Sequence, residues 1–254
     1  MEALIVYLLA GLGSGVGTGL AGLSAAAVIA PMLITFLGVE AYEAVAIALA
    51  SDVLASAASA WVYGRNKNLD IRNGLVMMMA VLAFTMIGSY VASLLPDQTM
   101  GDFSVIMTFL LGVKFLILPV MTTKEAMGEK SLRRKIAESV ICGSVIGFIC
   151  GFTGAGGGMM MLLILTSVMH YELKTAVGTS VFIMSFTAFT GAASHMVIGG
   201  IPDLTALFFC VLFTFLFARW AAGFANKASA VTLNRIVGAF LAVLGIAMML
   251  VRFF

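Results

Sequence analysis

Residues 11–31, GLGSGVGTGLAGLSAAAVIAP, and residues 143–162, GSVIGFICGFTGAGGGMMML, decide how this chain folds. The glycines of the two stretches match at one fixed offset of 132 positions. The matched pairs are Gly11 with Gly143, Gly15 with Gly147, Gly19 with Gly151 and Gly22 with Gly154. Glu40 and Glu172 keep the same offset, so the match continues beyond the glycines. Four such pairs in a row indicate a duplicated unit.

The composition of the chain excludes a soluble globular protein. Of its 254 residues, 62% are hydrophobic and 10% are charged, and the mean hydropathy is +1.12. A soluble domain carries about 25% charged residues, far more than this chain does. We therefore expect this chain to be surrounded by lipid rather than by water. The net charge of +2 is spread over short connectors, and we expect no nucleic-acid partner. The three cysteines lie in apolar runs without metal-ligand spacing, and we expect neither a metal nor a cofactor.

The chain contains apolar runs that are long enough to cross a bilayer. They are Ala3–Gly38, Ala41–Gly64, Gly74–Leu95, Phe103–Met121, Ser139–His170, Thr175–Gly199, Leu204–Ala225 and Ala230–Phe254. The first and the fifth run, of about 36 and 32 residues, are too long for one helix and contain the repeated glycines. Each of these two is either a single broken crossing or a hairpin of two short segments.

The basic residues of the connectors favour the hairpin. Residues 122–138 are rich in Lys and Arg, which predicts a cytoplasmic position. Alternation of the following connectors then places both ends of Ser139–His170 on the cytoplasmic side. We therefore predict an all-α integral membrane fold of two units, each with about five helical segments and in inverted orientation. The units are residues 1–121 and 139–254, joined by the cytoplasmic linker 122–138. Eight simple crossings with parallel units are the alternative.

The glycine clusters predict breaks in the membrane helices. Gly19, Gly22 and Ser24 mark the first break, and the stretch from Thr153 to Gly158 marks the second. A helix that restarts after a break directs unpaired N–H groups and the positive end of its dipole at the gap. Such a gap favours an anion. For glycines at every fourth position, close packing of two helices is the competing interpretation.

Ionisable and hydroxyl side chains within the apolar runs are further candidates for a site. Asp52 lies in the middle of Ala41–Gly64, where a carboxylate is costly unless it carries a proton or pairs with a cation such as Lys114. Thr179 and Ser180 lie one turn into the helix after the second hairpin, and Ser51 precedes Asp52. His195 either contacts the substrate or is a packed histidine.

Several motifs of the second half resemble the sulfite exporter TauE/SafE family. They are the GxxGxGGG pattern from Gly151 to Gly158, AVGTS from Ala176 to Ser180, and His195 ahead of GGIPD. The first half departs from the family pattern at residues 24–27, SAAA, where these proteins tend to be rich in glycine. The resemblance implies a multi-pass transporter of a bacterial-type cytoplasmic membrane. Its implied substrates are sulfite or organosulfonates such as sulfoacetate.

Together these features predict a secondary transporter of small sulfur-containing anions that works by alternating access. The predicted substrate-binding residues are Gly19, Gly22, Ser24, Ser51, Thr153, Gly154, Gly156, Gly157, Gly158, Thr179, Ser180 and His195, and the predicted proton-coupling residue is Asp52. The expected partners are a small anion and the lipid bilayer, with a homodimer left open. An anion channel of similar architecture is one alternative, and an intramembrane serine protease with Ser24 as nucleophile and His195 as base is another.

Overall fold

The computed structural model describes residues 2–92, 109–110, 113–119, 132–153 and 157–253, and within these it is all-helical. The helices are α1 (Glu2–Ala21), α2 (Ala26–Leu37), α3 (Ala41–Arg65), α4 (Ile71–Ala92), α5 (Leu132–Thr153), α6 (Gly157–Ser167), α7 (Leu173–Gly199), α8 (Leu204–Lys227) and α9 (Ala230–Phe253). Residues 113–117 are also helical. The predicted all-α class is confirmed.

Five stretches of these helices are long and apolar enough to cross a bilayer, counted over the described residues alone. They are Glu2–Ala21, Glu43–Arg65, Leu173–Val197, Leu204–Lys227 and Ala230–Ala247. Shorter apolar helices accompany them, among them Ala26–Leu37, which is α2. Large apolar side chains are exposed along these helices, as expected where lipid takes the place of water.

The first long apolar run folds as a hairpin of two helices. Gly22 adopts a left-handed conformation with φ of +65°, which ends α1. The Thr18 hydroxyl donates to the Leu23 carbonyl at 2.8 Å and holds the turn. Helix α2 then runs back along α1. The contact between them shows this: a Cβ placed on Gly13 would lie 3.2 Å from Val28 Cγ1.

The second long run also contains two helices. Helix α5 ends at Thr153 and α6 begins at Gly157, and residues 154–156 between them lie outside the described part of the chain. Helix α5 begins at Leu132, so residues 132–138 of the predicted linker are helical. An ion pair between Arg134 and Glu138, at 3.0 Å, supports this polar first turn. Hydropathy alone does not detect such an extension, since it follows only apolar residues.

Equivalent positions of the two units adopt the same backbone conformation. Gly38 and His170, 132 positions apart, have φ of 65° and 57°. Glu40 and Glu172 precede α3 and α7 with φ and ψ of −55° and 139° and of −57° and 141°. These matched angles support the duplicated unit that the sequence predicts.

In each unit, the first helix packs against a helix of the other unit. Helix α1 packs on α8, and its repeat counterpart α5 packs on α4. A Cβ added at Gly15 would lie 2.7 Å from the Thr214 carbonyl oxygen. A Cβ added at Gly147 would contact the Val81 carbonyl oxygen. These glycines therefore allow close contact of helix backbones, which is the competing interpretation given above for glycines at every fourth position.

Helices α3 and α7, which occupy equivalent places in the two units, run antiparallel. A Cβ on Gly191 would lie 3.1 Å from Leu49 Cδ1, and one on Gly178 would lie 2.8 Å from Tyr63 Cβ. Contacts at the start of one helix thus fall at the end of the other. This is the relation expected of inverted units, and the membrane side of each connector stays a prediction.

Candidate functional site

A buried carboxylate joins the first helix break to the middle of α3. Asp52 is 1% exposed. The Ser24 hydroxyl donates to Asp52 Oδ2 at 2.7 Å, and the Ser56 hydroxyl donates to Oδ1 at 2.7 Å. Both carboxylate oxygens therefore have a hydroxyl donor, which is the condition for burying such a group.

The same carboxylate lies at the amino end of α2. The backbone amide of Ala25 faces Asp52, and the Ala26 N–H donates to Ser24 Oγ at 3.4 Å. Asp52 thus lies where the dipole of α2 favours negative charge. The sequence predicts unpaired N–H groups at this break. In this conformation they face the carboxylate of Asp52.

Within the described residues, no basic side chain forms an ion pair with Asp52. Lys114, the partner considered from the sequence, lies elsewhere. Its ammonium group donates to Ser167 Oγ and lies 3.5 Å from Thr166 Oγ1, at the end of α6. It also lies 5.0 Å from the centroid of the Phe115 ring. Among the described residues, the carboxylate of Asp52 therefore has hydroxyl and amide groups as its partners.

The first break lies directly against the second unit. A Cβ on Gly158 would contact the Gly22 carbonyl oxygen and would lie 3.0 Å from the Ser24 backbone nitrogen. A Cβ on Gly22 would contact Ser180 Oγ. The structure thus brings together five of the predicted site residues, namely Gly22, Ser24, Asp52, Gly158 and Ser180. We call this group the central cluster.

The central cluster is chemically asymmetric, although it lies between two units that the sequence predicts to be equivalent. At the 132-residue offset, Asp52 corresponds to Met184 and Ser56 corresponds to Ala188. Met184 Sδ would lie 2.8 Å from a Cβ on Gly158, so it contacts the second unit's part of the cluster. The first unit therefore supplies a carboxylate where the second supplies a thioether.

Ser56 was missed at the sequence level, although a signal for it exists. It lies four residues after Asp52 on the same helix face, where one turn brings side chains into contact. A serine at this spacing is a natural donor to a buried carboxylate, and it is 0% exposed here.

Other predicted site residues bond elsewhere. The Ser51 hydroxyl donates to the Ile47 carbonyl at 2.8 Å, and His195 Nδ1 lies 3.0 Å from the Gly191 carbonyl oxygen, each within its own helix. Thr179 Oγ1 accepts from the Asp70 backbone N–H at 3.2 Å. Gly19 packs on α8, close to the Ala218 carbonyl oxygen. The Ser180 hydroxyl, inside the central cluster, also donates to the Val177 carbonyl at 2.8 Å.

Part of the second break lies outside the described residues. Gly154 and Gly156 are among residues 154–156, and the side chain of Thr153 is likewise not described. Gly157 is the first residue of α6 and is half-buried. The contacts of the second break given above are therefore those of Gly158.

A second polar network, which the sequence did not indicate, links the units just beyond the carboxyl end of α3. The Tyr171 hydroxyl donates to Asp70 Oδ2 at 2.9 Å, and Asn73 Nδ2 donates to the same oxygen at 2.6 Å. Asn68 Nδ2 donates to Asn226 Oδ1 at 2.6 Å. Burial raises the pKa of the Tyr171 phenol, and the negative charge of Asp70 adds to this.

The catalytic pair of a serine protease is not assembled. Ser24 donates to Asp52, and its break contacts Ser180 through Gly22. His195 lies fifteen residues after Ser180 on α7, which corresponds to about 22 Å at the rise of an α-helix. A base at that distance cannot take the proton of Ser24.

Comparison with known proteins finds one family and several relatives. The family described as "Sulfite exporter TauE/SafE" matches residues 7–248. The "Probable membrane transporter protein YunE" of Bacillus subtilis (strain 168) is 26% identical over 223 residues, which cover 80% of this chain and 82% of that protein. The "Probable membrane transporter protein YdhB" of the same organism is 34% identical over 83 residues, which cover 28% of this chain and 34% of that protein.

A more distant relative is the "Probable membrane transporter protein MJ0441" of Methanocaldococcus jannaschii (strain ATCC 43067 / DSM 2661 / JAL-1 / JCM 10045 / NBRC 100440). It is 24% identical over 136 residues, which cover 53% of this chain and 48% of that protein. No solved structure matches the chain.

Proposed function

This chain belongs to the sulfite exporter TauE/SafE family and is a multi-pass membrane transporter, and we propose that it carries small sulfur-containing anions by alternating access. The substrates proposed are sulfite, sulfoacetate or related organosulfonates, and the location proposed is a bacterial-type cytoplasmic membrane. Assembly as a homodimer stays a prediction, which the mass of the purified protein in detergent tests.

The observation that carries the proposal is the meeting of a helix break with the opposite unit at the central cluster. The backbone at Gly22 and Ser24 contacts Gly158, and a buried carboxylate lies beside it. Carriers built from duplicated units bind their substrate at such an interface, between broken helices, and move one unit against the other.

The buried carboxylate of Asp52 suggests how the anion and a proton are coupled. Asp52 uses the Ser24 hydroxyl and faces the amide end of α2, and these are the donors that an incoming oxyanion requires. Two like charges in a buried site repel strongly. The anion therefore binds after Asp52 takes up a proton, which removes the repulsion and releases the Ser24 hydroxyl.

The substrate contacts that we propose are correspondingly few. Ser24, Ser180 and the amides that begin α2 and α6 surround the point where the units meet. Met184 adds an apolar, polarisable surface beside Gly158. Ser51, Thr179 and His195 join the site only if a second conformation redirects their side chains, because each bonds elsewhere in this one.

Purified protein in liposomes tests the proposal. Uptake of sulfite, sulfoacetate, taurine, sulfate and acetate is measured with and without an imposed pH gradient. We expect saturable uptake of one or more sulfur oxyanions, stimulated when the side of entry is more acidic. Ser24→Ala abolishes this uptake, whereas Ser144→Ala does not, because the Ser144 hydroxyl donates to the Val140 carbonyl of its own helix, α5. Absence of transport for every sulfur anion, with folded protein, overturns the substrate class.

Counterflow separates a carrier from the anion channel that remains the alternative. Liposomes loaded with unlabelled substrate should accumulate labelled substrate transiently, since one site faces the two sides in turn. A channel shows no such accumulation and conducts far faster. The central cluster is closely packed in this conformation, with Asp52 and Ser180 at 1% and 0% exposure, which favours the carrier.

A further inference from the structure

An apolar groove of about 530 Å³ opens between α3 and α7, towards the carboxyl end of α3. Small residues of α3, namely Ala57, Ala60 and Gly64, form its floor. Aromatic rings of Trp61, Phe182 and Phe186 form its walls. Trp61 and Phe186 are 51% and 44% exposed, so the groove is open to whatever surrounds the protein. In a membrane protein that surrounding is lipid, and the lining is mainly apolar, as a hydrocarbon chain requires.

Two guanidinium groups lie at the same tryptophan. Arg65 Cζ is 4.9 Å and Arg219 Cζ is 5.4 Å from the centroid of the Trp61 ring. Both arginines are exposed, and no acidic side chain of the described residues lies within 4.0 Å of either. Arg65 also lines the groove and is the last residue of α3. Two positive charges that have no acidic partner in the described part of the chain therefore lie at the end of a predicted crossing.

We propose that this groove binds an anionic phospholipid, with one acyl chain between α3 and α7 and the phosphate on Arg65 and Arg219. Guanidinium groups bind phosphate oxygens through paired N–H donors. Tryptophan and arginine at the end of a membrane helix lie at the depth of lipid headgroups. A free phosphate or a soluble oxyanion would satisfy the charges but would leave the apolar groove without an occupant, and a neutral lipid would leave the charges uncompensated.

The bound chain lies between two equivalent helices of opposite units. Helices α3 and α7 pack together on the inner side of the groove, where Gly178 contacts Tyr63. An acyl chain on the outer side extends this packing over Ala57 and Phe186. The lipid is thus placed to bridge the two units.

Fluorescence of Trp61 tests the proposal directly. The chain has two tryptophans, so Trp220→Phe leaves Trp61 as the single reporter. This variant is reconstituted in vesicles of phosphatidylcholine that contain equal fractions of either brominated phosphatidylglycerol or brominated phosphatidylcholine. Bromine on an acyl chain quenches a tryptophan that it touches. We expect the apparent affinity for the brominated anionic lipid to be about five-fold to thirty-fold higher.

Variants and competition decide between the outcomes. Arg65→Gln with Arg219→Gln removes the preference, whereas Arg235→Gln, at an exposed arginine of α9, keeps it. Equal quenching by the two brominated lipids overturns the proposal. Loss of the preference on addition of inorganic phosphate at constant ionic strength assigns the arginines to a soluble anion and also overturns it. No quenching by either lipid means that another part of the chain covers the groove, with the same consequence.

Discussion

The Ser24 hydroxyl and the Asp52 carboxylate are 2.7 Å apart, from Oγ to Oδ2, and this bond connects a helix break to the middle of a neighbouring helix. The two residues are 28 positions apart in the sequence. The hydrogen bond lets the first unit hold a negative charge at the interface with the second unit, where the substrate is proposed to bind.

Asp52→Asn should abolish the stimulation of anion uptake by a pH gradient. Asparagine has nearly the shape of the protonated acid, but it neither takes up nor releases a proton. Uptake in proteoliposomes is measured over a series of external pH values. Asp203→Asn, which changes a carboxylate that caps α8, serves as the control and should keep the stimulation. An unchanged pH response in Asp52→Asn would exclude this residue as the coupling group.

Ser56→Ala should destabilise the protein more than Ser51→Ala. Both serines are 0% exposed, but only Ser56 donates to Asp52 Oδ1. Its removal takes a hydroxyl donor away from a buried carboxylate, which costs about 1–3 kcal/mol. Ser51 bonds to the carbonyl of its own helix, which already has a backbone partner. Thermal unfolding in one detergent gives the comparison, and equal losses for the two variants would contradict the assignment.

Gly158→Ala should abolish transport and lower the melting temperature. The added methyl group would contact the Gly22 carbonyl oxygen and lie 3.0 Å from the Ser24 nitrogen, and both are backbone atoms that cannot rotate away. Gly223→Ala is the matched control, because nothing lies within 4 Å of its added Cβ. If both variants transport like the wild type, the close contact of the two units at Gly158 is wrong.

His170→Gly should raise the stability of the protein. His170 has φ of 57°, the conformation that Gly38 adopts at the equivalent position. A non-glycine residue there costs roughly 1 kcal/mol, partly offset by the greater freedom of glycine in the unfolded chain. His170→Ala keeps the strained conformation and should bring no gain. A fall in melting temperature for His170→Gly alone would show that the imidazole makes a stabilising contact.

Tyr171→Phe should change how stability depends on alkaline pH. The raised pKa of Tyr171 means that the folded protein holds the phenolic proton more tightly than the unfolded chain. The resulting stabilisation is complete below the unfolded pKa, about 10, and is lost as pH rises above it. The melting temperature of the wild type should therefore fall more between pH 9 and pH 11 than that of Tyr171→Phe.

At neutral pH the same variant should be less stable, by roughly 1 kcal/mol, because it lacks the bond to Asp70. Parallel curves for the two proteins from neutral to alkaline pH would show that Tyr171 titrates alike in the folded and unfolded states.

The helical elements could be predicted from the sequence because lipid imposes them. A backbone in hydrocarbon must satisfy its own hydrogen bonds, so long apolar runs become helices. Predicted runs such as Ala41–Gly64 and Leu204–Ala225 match α3 and α8 within about two residues. The break at Gly22 was also predictable, since glycine tolerates a positive φ. The start of α5 was not, because its first turn is polar.

The candidate site was predictable only as a set of residue types. Ser24, Asp52 and Gly158 each stood out by themselves, as a hydroxyl, a buried charge and a glycine in a cluster. Nothing in their spacing showed that they meet, nor that Ser51 and Thr179 bond elsewhere. Side-chain direction at such positions depends on how helices from distant parts of the chain are rotated about their axes.

The sequence by itself determined that lipid surrounds the chain and that its long apolar runs are helices, and it predicts the duplication, because hydropathy, glycine spacing and a fixed offset are properties of the chain read in order. Only the tertiary structure decided that Asp52 lies at the break beside Ser24 and that α3 and α7 are antiparallel. The physical reason is that a membrane does not determine which apolar helix packs against which. That choice depends on close fit between surfaces, such as Gly15 on the Thr214 carbonyl, and on the few buried polar groups that must find partners.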